Sequence, residues 1–312
     1  MTDQPRRITF RNGPIEIVGA LWLPPGFDVG TTHPALVVVT PGSSVKEQIG
    51  ANYASRMAGR GHVVLTFDPS YQGESGGEPR DLEDPAARME DVRCALDRLV
   101  TLPFVDAERI GVLGICAGGG YAVGTALTER RIKAVGTVVG NNIGRAFRRM
   151  QAEAGTTESL LAAVAAARTA EARGAVPRRD PWIPDSPAEA AAVGLSDEAT
   201  LQAVDYYRTP RGQHPQSTNR LLFRSHALLL GFDAFHLVPE LLVQPLAVVI
   251  GGVPGSTGSG EEGRRLWELA PNRRDLVVIE GAGHYDLYDR PAFVEQAVSR
   301  LDTFFKACLS RS

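Results

Sequence analysis

Cysteine is scarce in this chain: 312 residues hold three, Cys94, Cys116 and Cys308, with no spacing from which a disulfide framework or a metal site could be built. The six histidines form no H-E-x-x-H or comparable cluster, so neither metal nor cofactor is expected. A basic surplus is missing as well. Lys and Arg number 33 against 36 Asp and Glu, a formal net charge of −3, which is too little positive charge to neutralise a phosphate backbone. Nucleic acid is therefore not expected as a partner. Every apolar run is cut by charge, Pro or Gly well short of the roughly 20 residues that span a bilayer, and MTDQPRR at the start lacks the apolar stretch of a secretory signal. The expectation is a soluble, reduced, cytoplasmic protein. What remains, 43% hydrophobic and 22% charged residues, suits one large α/β domain with an inserted subdomain.

One of the three cysteines stands in a pattern that carries chemistry. In RIGVLGICAGGGY, residues 109–121, the apolar run Ile110, Val112, Leu113 and Ile115 reads as a buried parallel strand that breaks into Gly118, Gly119 and Gly120. Gly114-Ile115-Cys116-Ala117-Gly118 is the G-x-S-x-G nucleophile elbow with cysteine in the serine position. Glycine two residues to either side is a steric requirement, since side chains there would collide in the strained strand-to-helix turn. The helix that begins after Cys116 aims free N–H groups and its positive dipole end at the sulfur, which favours thiolate. Cys116 is the candidate nucleophile, and an inert cysteine at a glycine-rich strand end is the competing reading. Cys94 and Cys308, on predicted helices without a histidine partner, read as packing or surface residues.

The rest of the chain supplies the frame. Residues 8–23 read as an antiparallel edge hairpin turning at Asn12-Gly13-Pro14. Continuous apolar strands follow at 35–40, 62–67, 109–116, 132–139, 245–250 and 275–280, with helices predicted near 47–60, 85–102, 261–269 and 291–308. Strand alternating with helix in this rhythm means a mostly parallel, doubly wound sheet. The rhythm stops over 143–242, rich in Ala, Arg and Glu, which reads as several helices with no strand and an irregular break at 176–187 around Trp182. The expected organisation is a core of residues 1–142 and 243–312 with a helical cap inserted at 143–242.

His284 follows the last strand in a glycine-flanked loop, where sheets of this kind deliver functional side chains. It is the candidate general base for Cys116. The oxyanion needs two backbone donors: Ala117, which follows the nucleophile, and Ser43, in the turn Pro41-Gly42-Ser43-Ser44 after the 35–40 strand. Pro41 cannot donate. A residue to orient His284 is harder to find, because the loop at 251–260 carries no carboxylate. Asn142 can do it through its side-chain oxygen, as in Cys-His-Asn sites, or can merely cap the helix that opens at Ile143; Glu261, Asp233 and Asp286 are the other candidates. A neutral partner is chemically sufficient, since a thiol with an ordinary pKa of about 8.5 needs less help than a serine hydroxyl. Tyr71 is expected to line the substrate site and Asp68 to hold its loop. Arg145, Arg148 and Arg149 read as the solvated face of a helix that buries Ile143, Phe147 and Met150.

Four stretches, PGSSVKEQ (41–48), FDPSYQGESGGEPR (67–80), RIGVLGICAGGGYAVG (109–124) and GAGHYDLYDRP (281–291), resemble the α/β-hydrolase superfamily, and within it the dienelactone hydrolase-like and polyketide acyl-transferase-like group with a cysteine nucleophile. They cover most of the sheet and little of the cap. The resemblance implies an α/β-hydrolase fold and an acyl-cysteine intermediate. The expected activity is hydrolase or thioesterase chemistry on an ester, thioester or lactone of a sizeable apolar acyl group, free or carrier-bound. A Dieckmann-type cyclase or an acyltransferase of natural-product biosynthesis is the alternative, and a non-catalytic ligand-binding protein on a hydrolase fold is a second one. A homodimer is compatible with the sequence.

Overall fold

The computed structural model describes residues 4–310. Its centre is an eight-stranded sheet formed, in chain order, by β1 (Arg6–Asn12), β2 (Ile15–Trp22), β3 (His33–Val39), β4 (Val63–Phe67), β5 (Val105–Ile115), β6 (Ile132–Val138), β9 (Leu246–Gly251) and β10 (Arg273–Ile279). The spatial order is β1-β2-β4-β3-β5-β6-β9-β10. β1 and β2 form the expected antiparallel edge hairpin, β2 meets β4 antiparallel, and every later pairing is parallel. The innermost strands are apolar on both sides because helices cover both faces. Ala35, Val37 and Val39 point to one core layer and Leu36 and Val38 to the other, the period of two that a pleated strand imposes.

Helix Pro85–Val100 starts as predicted, with Asp84 accepting from the Ala86 N–H at 2.9 Å and proline in the first turn. It packs with the elbow helix Ala117–Ala126 on one face, while Ala51–Ala58 and Pro291–Cys308 cover the other.

Residues between β6 and β9 contain the predicted helices, but also two strands where none was expected. β7 (Arg179–Pro181) and β8 (Arg220–Leu222) form an antiparallel ribbon with Asp180 opposite Leu221. Three residues are too few to show an alternation, and Pro181 and Trp182 masked the pairing further. The ribbon is tied through Asp81 to the loop that follows β4. That residue's carbonyl accepts the Leu222 N–H at 2.8 Å, and its carboxylate takes Thr218 Oγ1 at 2.6 Å and Arg179 Nε at 2.9 Å. Met150 is a second correction. It is 47% exposed, so helix Ile143–Ala154 buries Ile143 and Gly144 and partly Phe147 instead.

Candidate active site

The carboxyl ends of β3, β5, β6, β9 and β10 meet at one rim, and the candidate side chains collect there. β5 runs into the elbow helix through Cys116, which has φ 54° and ψ −124°, a conformation L-residues adopt only when their surroundings impose it. Three backbone bonds impose it: Cys116 N–H to Val138 O at 3.1 Å, and Gly119 and Asn141 N–H to Cys116 O at 2.9 and 2.8 Å. A Cβ on Gly114 would lie 2.4 Å from Gly118 O, and one on Gly118 would lie 2.1 Å from Val39 O and 2.6 Å from Thr40 O. Glycine at these positions therefore lets the elbow press directly against the end of β3.

That contact sets the start of the elbow helix, with Ala117, against the end of β3, which leads into the turn that carries Ser43. The Ala117 N–H faces the Cys116 thiol closely enough to pull its pKa down. Ser43 sits at φ 59° in the turn after β3, its carbonyl held by Ser217 Oγ at 2.8 Å, and its N–H forms no hydrogen bond with the described residues. Gly42 lies against the cap segment: a Cβ there would stand 2.4 Å from the ring of Trp182, the residue that follows the ribbon strand β7. Its missing side chain is the space in which the indole lies.

His284 follows β10 and is buried. Its Nδ1 lies 2.9 Å from Ser259 Oγ, at the start of helix Ser259–Leu269, and its Nε2 lies 3.3 Å from the Tyr288 hydroxyl. That hydroxyl also acts on the Cys116 thiol and on Tyr207, pulling the pKa of each down. One tyrosine hydroxyl thus neighbours both the imidazole and the thiol. Burial pulls the His284 pKa down to about 3, so the imidazole is neutral near pH 7. Burial pushes the Cys116 thiol up, although the Tyr288 hydroxyl, the Ala117 N–H and the Arg88 guanidinium each pull it back. The resting pair is a neutral thiol and a neutral imidazole.

A model described as the alpha/beta hydrolase family matches residues 37–297. The chain belongs to the alpha/beta hydrolase family. An uncharacterised protein of Escherichia coli K12, YcjY, is 38% identical over 302 residues, 96% of each chain. A hypothetical protein of Pseudomonas aeruginosa, PA2218, has a crystal structure that superposes with a TM-score of 0.87 at 32% identity, covering 97% of this chain and 93% of that one. A protein named thiohydrolase from Eupenicillium brefeldianum is 26% identical over 271 residues, 85% of this chain and 83% of its own.

In this member of the family the structure does not bring Asn142 to His284. The Asn142 amide donates to Asp233 Oδ1 at 2.7 Å, and its oxygen accepts the N–H groups of Arg145 and Ala234, each at 3.3 Å. It caps the helix Ile143–Ala154, and the Nδ1 partner is Ser259. The other candidates are engaged elsewhere as well: Glu261 with Arg149, Asp233 with Arg148, and Asp286 with the Gly283 N–H. Tyr71 also departs from expectation. It lines a surface groove with Asn12, Pro14, Met89 and Arg93, and its backbone bonds run to Gly76 and Asp81. Asp68 holds its loop as read, accepting the Lys46 N–H at 2.7 Å and the Glu74 N–H at 2.9 Å. Arg145, Arg148 and Arg149 are all ion-paired, to Glu262, Asp233 and Glu261.

Two residues of the site were missed in the sequence, Ser259 and Tyr288. Ser259 lies in a Gly-Ser-Thr stretch that reads as plain loop. Tyr288 had a signal, its position four residues after His284, a spacing that places both side chains on one face of a helical turn. Among the described residues no three His, Cys, Asp or Glu side chains gather to hold a metal, and no helix is long and apolar enough to cross a membrane.

Proposed function

We propose that this hydrolase forms an acyl-cysteine intermediate at Cys116, with His284 as general base and then general acid, and the Ala117 and Ser43 amides as the oxyanion hole. The observation that carries this reading is the strained elbow that lifts a cysteine to a rim where its thiol shares a hydroxyl with a buried, neutral imidazole. The thiol attacks the acyl carbonyl, the carbon–sulfur bond forms, and the carbonyl oxygen takes the negative charge between the two amides. Collapse expels the alcohol or thiol of the substrate, and water then releases the acid. A thioester or activated ester fits best, because a leaving group that departs as a stable anion asks little of a weakly basic imidazole. The thiohydrolase relative points the same way.

Segment 143–242 acts in this reading as a cap over a sizeable apolar acyl chain. Trp182 against Gly42 and Tyr207 against Tyr288 support it, since both cap residues reach the catalytic rim. That enclosure also favours a second reading, in which a nucleophile on the acyl chain itself resolves the intermediate and closes a ring. Three unpaired cysteines suit a reducing cytoplasm.

Intact-protein mass spectrometry after exposure to acyl thioesters of increasing chain length tests the proposal. A single acyl adduct is expected, abolished by Cys116→Ala. No adduct, or one that survives the substitution, would overturn it; release as free acid or as cyclised product separates the two readings.

A further inference from the structure

Building on the acyl-cysteine reading, we propose that Tyr288 is a catalytic residue that relays the proton between Cys116 and His284, so that thiol and imidazole exchange it through the phenol and not directly. The Tyr288 hydroxyl lies 3.3 Å from His284 Nε2, and it pulls the pKa of the Cys116 thiol down. Its ring is wedged in place by four others, with centroids 5.0 Å from Tyr206, 6.3 Å from Tyr207, 4.9 Å from Tyr285 and 5.3 Å from His284. The backbone on either side is pinned. Tyr53 Oη donates to Leu287 O at 2.8 Å, and Asn52 Nδ2 donates to Tyr288 O at 2.6 Å. A phenol fixed this firmly between a thiol and an imidazole defines the path between them.

The hydrogen-bond inventory of one phenol fits the task. Its oxygen has one proton to donate and two lone pairs to accept with, and three neighbours: Cys116, Tyr207 and His284. In the resting state Tyr288 O–H donates to Nε2, while Cys116 S–H and Tyr207 O–H donate to its oxygen, and His284 Nδ1–H donates to Ser259 Oγ. As the sulfur attacks, its proton moves to the Tyr288 oxygen and the Tyr288 proton moves to Nε2. The result is a carbon–sulfur bond, an imidazolium and an unchanged phenol. On collapse the imidazolium proton returns through the same oxygen to the leaving group, so no proton is gained or lost. Burial raises the Tyr288 pKa far above its ordinary value, which keeps the phenol protonated so that it passes charge on without storing it.

Alkylation of Cys116 by iodoacetamide, followed against pH, tests this without any acyl substrate. The groups facing the trio are Tyr206 and Tyr207 from helix Glu198–Arg208, Tyr285 from the His284 loop, Ser259 from helix Ser259–Leu269, and, at longer range, Arg88 and Glu83 beneath the elbow. Burial raises Tyr206, Tyr207 and Tyr285, so none of them ionises near neutral pH. Tyr288→Phe is expected to slow alkylation at pH 7 about 10-fold, to move its rise to higher pH, and to slow acylation on the order of 100-fold, within the usual span for general acid–base groups. Tyr288→Phe combined with His284→Ala should be no slower than either single variant, because a relay fails as a unit. Unchanged alkylation in Tyr288→Phe, or additive losses in the double variant, would overturn the relay. Loss through Tyr207→Phe in place of Tyr288→Phe would overturn it too. An acyl adduct that still forms normally in Tyr288→Phe would leave the acyl-cysteine reading standing with direct transfer.

Discussion

Ser259 and Asn142 carry out separately two jobs that the sequence allowed one residue to hold. Asn142 is fully buried and its side chain ends a helix, bonded to Arg145 N and to Asp233. The Ser259 hydroxyl bonds to the imidazole and, besides it, to Thr257 Oγ1 at 3.3 Å. Asn142→Ala should therefore lower the unfolding free energy by about 1 kcal/mol, the usual cost of a lost N-cap, with kcat little changed. Ser259→Ala should do the reverse, lowering kcat about 10-fold while the melting temperature stays put, since its bond fixes which imidazole nitrogen carries the proton. Denaturant melts and steady-state kinetics on the pair distinguish these outcomes, and swapped results would return the orienting role to Asn142. His284 itself sets the pH dependence. With its pKa near 3, kcat/KM should show no acid break near 6.5, the value of an unperturbed imidazole.

The ribbon of β7 and β8 acts on the site as an element, through Trp182. Its attachment runs through Asp81, and its end lays the indole on Gly42, one residue before the proposed oxyanion donor Ser43. Gly42→Ala should be strongly destabilising alone, because the new methyl lies 2.4 Å from the ring, and should be largely relieved by Trp182→Ala. A double-mutant cycle should give a coupling of at least about 1 kcal/mol; additive losses would mean the two elements do not press on each other.

Elements of this length also mark the limit of what could be read beforehand. The buried strands were legible because covering both faces of a parallel sheet demands unbroken apolar runs such as ALVVVT, and the elbow because its glycines leave a sterically forced spacing. Three-residue strands leave no such trace. Tyr288 was hidden because a tyrosine on a short helical turn has the signature of core packing, and its hydroxyl acquires a role only when folding sets it against a thiol more than 170 residues away in sequence. Asn142 was misassigned for a related reason: a cap and a catalytic amide are the same side chain until a partner is seen.

At the scale of the whole molecule, one buried carboxyl ties the edge hairpin to the core. Asp91, on helix Pro85–Val100, accepts from Asn12 Nδ2 at 2.8 Å, next to the β1–β2 turn, and from Ser70 N at 2.8 Å and Ser70 Oγ at 2.6 Å after β4. Burial lifts its pKa to about 6 against an unfolded value of about 3.9. Between those two values the folded chain binds a proton that the unfolded chain has released, so stability from this group is complete below about pH 3.9 and is lost as pH rises through about 6. His284 has the opposite sign, because the unfolded chain protonates it below about pH 6.5 while the folded chain does not until about pH 3. The two slopes oppose each other between roughly pH 4 and 6, so the acid stability of the wild type conceals both. Asp91→Asn keeps the side-chain shape and removes one slope. Relative to that variant the wild type should gain stability, on the order of 3 kcal/mol, as pH falls from 7 to 4. Urea unfolding of both proteins across that range measures the difference, and a constant gap would mean that Asp91 keeps its charge when folded and that the hairpin is held by an ionised carboxylate.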